Sequence, residues 1–302
     1  MDLKEQRYVV VLAECRSITK AAEQLNISQP ALSIYINNLE KSIGTKLFNR
    51  IGKKCVLSYA GEVYVESAKK MLMISDNFSA ELEEIVKGFK GRLRIGIPIR
   101  RSPYIIPKVL KEFKEFYPNV EVILHEGNTE KLEGLLLKND IDLLLCNRTD
   151  NKSDMEYISI YDDKLLLVVS AKHALVNEGM VLEGENYKWI NLKKFRGELF
   201  ILQHSGQSIR FFVDKVLQET DVKPEKIMHV RNIETSTQLA ATGYGVSFTL
   251  ESYAKHFYYE NPPVCFMVGN HKTTVDFVVA YRKGMYMNSY TMKFIEILKN
   301  II

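Results

Sequence analysis

The chain has 302 residues, enough for two or three domains. Hydrophobic residues make up 46% and charged residues 26%, with no low-complexity tract, which excludes a disordered chain. The net charge of +4 resides in the first sixty residues, which hold nine bases against five acids, so a polyanion-binding head on a neutral body is expected.

No apolar run approaches the ~20 residues that a bilayer span needs, so no membrane partner is expected. The first residues mix acids and bases ahead of only a short apolar run. That is not a secretory signal, and the expected location is the cytoplasm.

Residues 3–14 place Leu3, Arg7, Val10, Val11 and Glu14 at helical spacing, which predicts a first helix. Ser17 stands where an N-cap belongs, followed by Ile18, Ala21, Ala22 and Leu25 on one stripe of a short second helix. Ser28 offers a further N-cap and Pro30 falls in the first turn behind it. Leu32, Ile36, Leu39 and Ile43 then mark a third helix that Gly44 ends. Two short helices joined by a tight turn form a helix-turn-helix, and residues 46–57 predict a small basic hairpin, a wing.

With Leu32, Ile36 and Leu39 inward, the opposite face of the third helix carries Gln29, Pro30, Ser33, Ile34 and Asn37. It is uncharged. Gln and Asn bond bidentately to adenine and an aliphatic side chain meets a thymine methyl, so A·T pairs are expected at the central read positions. Phosphate contacts then fall to Lys20, Arg50, Lys53 and Lys54 around the rim, with Lys41 beside them and Ser28 at the helix start. The alternative is a merely solvated polar face.

The head resembles the LysR-type transcriptional regulators. The residues that carry the resemblance are Ala21-Ala22, Leu25, Ser28-Gln29-Pro30-Ala31-Leu32-Ser33, Ile36, Leu39-Glu40, Gly44, Leu47-Phe48 and Arg50, then Leu57-Ser58 and Ala60-Gly61. The family often has a basic residue after Ala-Leu-Ser, whereas Ile34-Tyr35-Ile36-Asn37-Asn38 has none.

Ser58 caps a predicted long helix running to about residue 87. Tyr64, Ala68, Met71, Ser75, Phe78, Leu82, Ile85 and Phe89 alternate steps of four and three along it, a coiled-coil period. A homodimer through this helix is expected, since a two-fold pair reads two half-sites; a core helix is the alternative. The resemblance implies a dimer of dimers, a homotetramer.

From residue 92 the pattern alternates strand and helix. Strands are predicted at 92–97, 120–124 and 141–146, with helices opened by Ser102-Pro103 and marked by Leu132, Leu135 and Leu136. This βαβαβ unit is a parallel sheet. A second set has strands at 164–169, 199–202, 227–231, 246–249, 264–268 and 275–280, and helices at 207–219, 235–241 and 288–302. Leu93-Arg94-Ile95-Gly96, Ile106-Pro107, Tyr117-Pro118, Glu126-Gly127, Asp140-Ile141-Asp142-Leu143, His173-Ala174-Leu175 and Gly243-Tyr244-Gly245-Val246 extend the resemblance over nearly the whole chain.

The fold class is therefore α/β, with an N-terminal winged helix-turn-helix, a long linker helix and a two-lobed, periplasmic-binding-protein-like effector domain. The expected domains are 1–58, 59–90 and 91–302. By the resemblance, lobe one spans about 92–148 plus 269–302 and lobe two about 149–268, joined by two crossing strands.

Ligands of open parallel sheets bind beyond the carboxyl ends of the strands. Those ends carry Arg100, Arg101 and Ser102; Asn128 and Thr129; Arg148; and Gln203, His204 and Ser205. Ser102 and Ser205 stand at predicted helix starts, which favour an anion, and the arginines offer carboxylate contacts. A small anionic metabolite is the expected effector; arginines in surface salt bridges are the alternative.

The histidines are scattered and no zinc, phosphate-loop or nucleophile-elbow motif occurs, so no catalytic residue, metal or cofactor is expected. Cys15, Cys55, Cys146 and Cys265 stand far apart and read as reduced thiols. Cys146 and Cys265 form a redox pair only if both lie on the crossing strands; buried inert thiols are the simpler reading. The leading function is a ligand-responsive, sequence-specific DNA-binding transcriptional regulator acting on double-stranded promoter DNA. A small-molecule-binding or transport-type protein without DNA function is the alternative.

Overall fold

The computed structural model describes residues 3–51, 54–87, 91–269 and 273–302, and the chain forms two compact units. The first holds α1 (Lys4–Cys15), α2 (Ile18–Gln24), α3 (Gln29–Ile43), the hairpin β1 (Phe48–Ile51) and β2 (Lys54–Leu57), and α4 (Tyr59–Lys87). The caps predicted for α2 and α3 both form. Ser17 Oγ accepts from the Lys20 amide at 3.5 Å and Ser28 Oγ from the Ala31 amide at 3.3 Å. Asn26 makes the tight turn between α2 and α3 at φ 54°, a left-handed conformation that Asn tolerates. Gly44 ends α3 at φ 80°.

Leu12, Ala21, Ala22, Leu32, Ile36 and Leu39 are buried together in the head core. Val65 and Ala68 of α4 join that core, with Tyr64 partly buried against it. The expected seam of the long helix is corrected accordingly. Tyr64 and Ala68 pack into the head, while Met71, Phe78 and Leu82 stay exposed, as does Ile74. The helix serves the head with its first turns because α1 lies beside them, and Lys69 reaches Glu14 at 3.5 Å. Phe89 lies outside the described residues.

Glu40 is a buried acid that joins α3 to the wing. Its Oε1 accepts from the amides of Leu47 (2.9 Å) and Phe48 (3.1 Å), and its Oε2 from the Lys46 ammonium (2.6 Å). Gly61 closes the other side. A Cβ there would lie 2.0 Å from the Leu47 carbonyl oxygen, so only glycine lets α4 pass.

The second unit is a mixed sheet. Its strands are β3 (Gly91–Pro98), β4 (Val120–Gly127), β5 (Leu143–Asn147), β6 (Met155–Val169), β7 (Leu199–Gln203), β8 (Lys226–Val230), β9 (Val246–Leu250), β10 (Val264–Met267) and β11 (Thr274–Arg282). The helices α5 (Ser102–Phe116), α6 (Thr129–Leu137), α7 (Ser208–Glu219), α8 (Ile233–Ala241), α9 (Glu251–His256) and α10 (Ser289–Ile301) cover it. The order is β4-β3-β5-β11-β6-β9-β7-β8, with β10 paired to β6.

β3 runs parallel to β4 and β5, and β7 parallel to β8 and β9, as the βα alternation requires. However, β11 lies antiparallel to both β5 and β6, so the sheet is not wholly parallel. β6 belongs to both halves. Residues Met155 to Lys164 pair with β11, and Leu165 onward pairs with β9 and β10. Phe113 of α5 packs on Phe294 of α10 in the first half, and Phe200, Phe248 and Phe266 fill the second.

Two predicted features shift. β6 begins at Met155 rather than 164; residues 156–162 are only half-buried or exposed and carry acids, so they lack the apolar run that marks 164–169. The helix after β7 starts at Ser208 with Gln207 at its cap, so Ser205 lies in the preceding turn and not at a helix start. Glu40→Ala should lower the stability of the head by about 3 kcal/mol, because two buried amides lose a charged acceptor. Urea unfolding of the full chain followed at the first transition measures this, and an unchanged midpoint would contradict the anchoring role.

Candidate functional site

The outer face of α3 is built by its inner one. Burial of Leu32, Ile36 and Leu39 leaves Gln29, Pro30, Ile34 and Asn37 exposed, Ile34 at 61%, with Ser33 half-buried between them. Ile34 is the exposed apolar side chain among the polar residues of this face. Thr19 Oγ1 donates to Gln29 Oε1 at 3.4 Å, which ties α2 to the start of α3. Lys20 and Lys54 are exposed; Arg50 lies on β1 opposite Cys55, and Lys53 lies outside the described residues.

In the second unit each of the three candidate arginines has an acidic partner. Arg100 Nη1 meets Glu234 at 2.5 Å and Arg148 Nη2 meets Asp276 at 2.6 Å, both pairs half-exposed. Arg101 is different. It is 1% exposed, and its Nη2 donates to Asp163 and Asn147, each at 2.9 Å. Its Nη1 donates to the Tyr161 hydroxyl and to Ser252 Oγ (3.3 Å), and the guanidinium lies 4.2 Å from the Phe277 ring centre.

Asp163 is itself 1% exposed and accepts from the Ser252 amide (3.0 Å) and hydroxyl (2.6 Å). Arg101 is thus held by protein groups from β5, β6 and α9. Buried and paired within the protein, it does not fit the expected role of an open effector contact. Asp163, Tyr161 and Ser252 are the partners the sequence reading missed. The acidic pair Asp162-Asp163 reads as a loop until a buried base is found for it.

The other loop residues spread over several strand ends. Ser102 is buried at the first turn of α5, and Asn128 caps α6 by accepting from the Lys131 amide at 2.9 Å. Thr129 is half-buried, and His204 and Ser205 are exposed. Gln203 is 1% exposed; its Nε2 donates to Ser236 Oγ at 2.8 Å while its Oε1 has no hydrogen-bond partner. Burial also pushes the Tyr104 hydroxyl up and keeps it a neutral phenol. A cavity of about 440 Å³ is lined by Arg100, Asn232, Glu234, Thr235, Gln238, Leu239 and Thr242.

Residues 3–62 match the family described as bacterial regulatory helix-turn-helix protein, lysR family. Residues 87–301 match the LysR substrate binding domain. The chain belongs to the LysR family. It is a DNA-binding transcriptional regulator with a ligand-binding region, and not an enzyme. LysR regulators bind promoter DNA and small-molecule effectors and form oligomers. The helix-turn-helix match decides against a transport-type protein without DNA function.

Similar chains include the uncharacterized HTH-type transcriptional regulator YcgK of Bacillus subtilis, 27% identical over 98% of this chain and 94% of its own. The HTH-type transcriptional regulator XapR of Escherichia coli is 26% identical over 93% and 92%. Among solved structures, a full-length OxyR variant from Pseudomonas aeruginosa has a TM-score of 0.69 at 21% identity, covering 100% of this chain and 94% of its own. Full-length CbnR complexed with its target DNA has a TM-score of 0.57 at 19% identity, covering 100% of both chains. These two show the fold.

In this LysR-family chain the two cysteines of the expected redox pair lie on β5 and β10, not on crossing strands. Cys146 stands opposite Val278, which pairs with Ser159 of β6, while Cys265 stands opposite Val168 of β6. Those points are about 30 Å apart along the strand, far beyond a disulfide's reach. Burial pushes both thiols up to about 12.

Two measurements follow from these contacts. Arg101→Met strands a buried carboxylate and should cost about 3–5 kcal/mol, whereas Arg100→Met should cost less than about 1 kcal/mol; denaturant unfolding separates them, and equal costs would count against the anchor. With its pKa raised, Cys146 stays protonated at pH 8 and should resist iodoacetamide until urea is added. Native labelling at that position would contradict its burial.

Proposed function

We propose that this regulator reads DNA with Gln29, Ser33, Ile34 and Asn37 in the major groove, with Ser28 and Pro30 at the helix start. Lys20, Arg50, Lys53 and Lys54 contact the flanking phosphates. The observation that carries this reading is the uncharged, exposed outer face of α3, with Ile34 61% open beside Gln29 and Asn37. A neutral face among basic neighbours suits base edges inside and phosphates outside. The chain divides as 1–58 for DNA, 59–90 for pairing and 91–302 for the effector. The exposed Met71, Phe78 and Leu82 of α4 favour a dimer, assembled further as a tetramer in the cytoplasm.

The effector in this reading is a small anion held at Arg100 and Arg148, with Ser102, Asn128, Thr129, Gln203, His204 and Ser205 around it. Arg101 fixes the loop on which Arg100 stands. Effector binding shifts the population between arrangements of the second unit, and with it the spacing of the reading heads.

Gel shifts on the DNA upstream of its own gene test the DNA half. Binding should fall steeply with salt, and Lys54→Ala should reduce the salt slope by about 1. The double variant Gln29→Ala, Ser33→Ala should lose specific binding and keep the non-specific kind. A selected-site experiment should return A·T at the central positions. Unaltered binding by the double variant, or G·C at those positions, would overturn the assignment.

A further inference from the structure

Two adjacent arginines meet two acids in opposite physical settings. The Arg101–Asp163 pair is sealed from solvent and shared with four further groups. The Arg100–Glu234 pair is open, with side chains 43% and 31% exposed, on the wall of the 440 Å³ cavity. The cavity is open to solvent on one side, so a small ligand there would meet Arg100 without crossing a buried wall.

Glu234 lies in the first turn of α8, where Asn232 caps the helix by accepting from the Glu234 amide at 3.0 Å. The helix end favours negative charge there. Thr235, Gln238, Leu239 and Thr242 continue the wall along one face of α8. A half-exposed guanidinium beside an open cavity makes a place for an oxyanion, and a carboxylate of the chain itself already holds that guanidinium.

We infer that Glu234 is an internal stand-in for the acidic group of the effector, which binds Arg100 by displacing it. This rests on the anionic-effector reading above and specifies how that site works. The incoming carboxylate or phosphate takes the Arg100 guanidinium in charge-assisted hydrogen bonds, and Glu234 turns to solvent. The exposed pair yields because water and salt already weaken it, whereas the neighbouring Arg101 anchor stays in place. Breaking the Arg100–Glu234 link uncouples the turn after β3 from α8, which is the change the rest of the unit can sense. Glu234 also sets a threshold, since a weak anion does not outcompete a carboxylate held on the same chain.

The test uses the full chain, with inorganic phosphate and acetate as separate probes at constant ionic strength, balanced with chloride. Calorimetric titration should show Glu234→Gln binding one of these anions about tenfold more tightly than the natural chain, as a competing charge is removed. Glu234→Ala carries the same expectation. Arg100→Gln and the double variant Arg100→Gln, Glu234→Gln should bind neither. Equal affinities in the natural chain and both Glu234 variants, or a gain that survives loss of Arg100, would overturn the proposal. Promoter gel shifts in the same anions separate the two readings. If the Glu234 variants gain anion affinity through Arg100 while DNA binding ignores the anion, Glu234 competes with anions for Arg100 but the anionic-effector reading, and with it the stand-in role, fails.

Discussion

The buried ion pair between Arg101 and Asp163 is the constraint on which the second unit turns. Neither charge tolerates burial alone, so each fixes the other. Asp163 stands near the point where β6 exchanges β11 for β9 and β10, which is where one half of the sheet gives way to the other. Arg101 stands at the start of α5. The pair therefore ties the first helix of one half to the shared strand, and Ser252 adds α9 of the second half to the same carboxylate. One residue earlier, Arg100 is held out to Glu234. One turn later, Tyr104 stacks on His256 with ring centres 4.4 Å apart. Residues 100–104 form a clasp between the halves, permanent at its centre and open at its edge.

The head uses a buried charge in the same way. Glu40 is closed in by two wing amides and Lys46, so α3 and the wing keep one geometry. The reading face of α3 has no such charge. That neutrality is what the proposed division of labour rests on, with phosphates left to the rim and base edges to uncharged groups. In both units a buried charge fixes the geometry of the surface proposed to meet a partner.

Much of the head was legible because its signals are local. Cap residues, the left-handed turn and the stripe Leu32, Ile36, Leu39 each depend on residues within a few positions, and a helix start at Ser28 needs no distant contact. The parallel βα units were legible for the same reason. The first nine residues of β6 were not. Their alternation is half-buried, and the acids Asp162 and Asp163 read as loop unless a base lies opposite. That base is 62 positions away in the chain.

The sequence by itself determined the basic head on a neutral body, the helix-turn-helix and which strand ends carry arginines, because hydrophobic period, caps and breakers act within a few residues. Only the tertiary structure decided what each arginine does. Burial and the identity of a distant acid separate the buried Arg101 from the half-exposed Arg100, and neither property is a function of local spacing. It likewise drew Tyr64 and Ala68 away from the expected helix seam and into the head, since one heptad pattern suits any apolar neighbour and the fold chose α1.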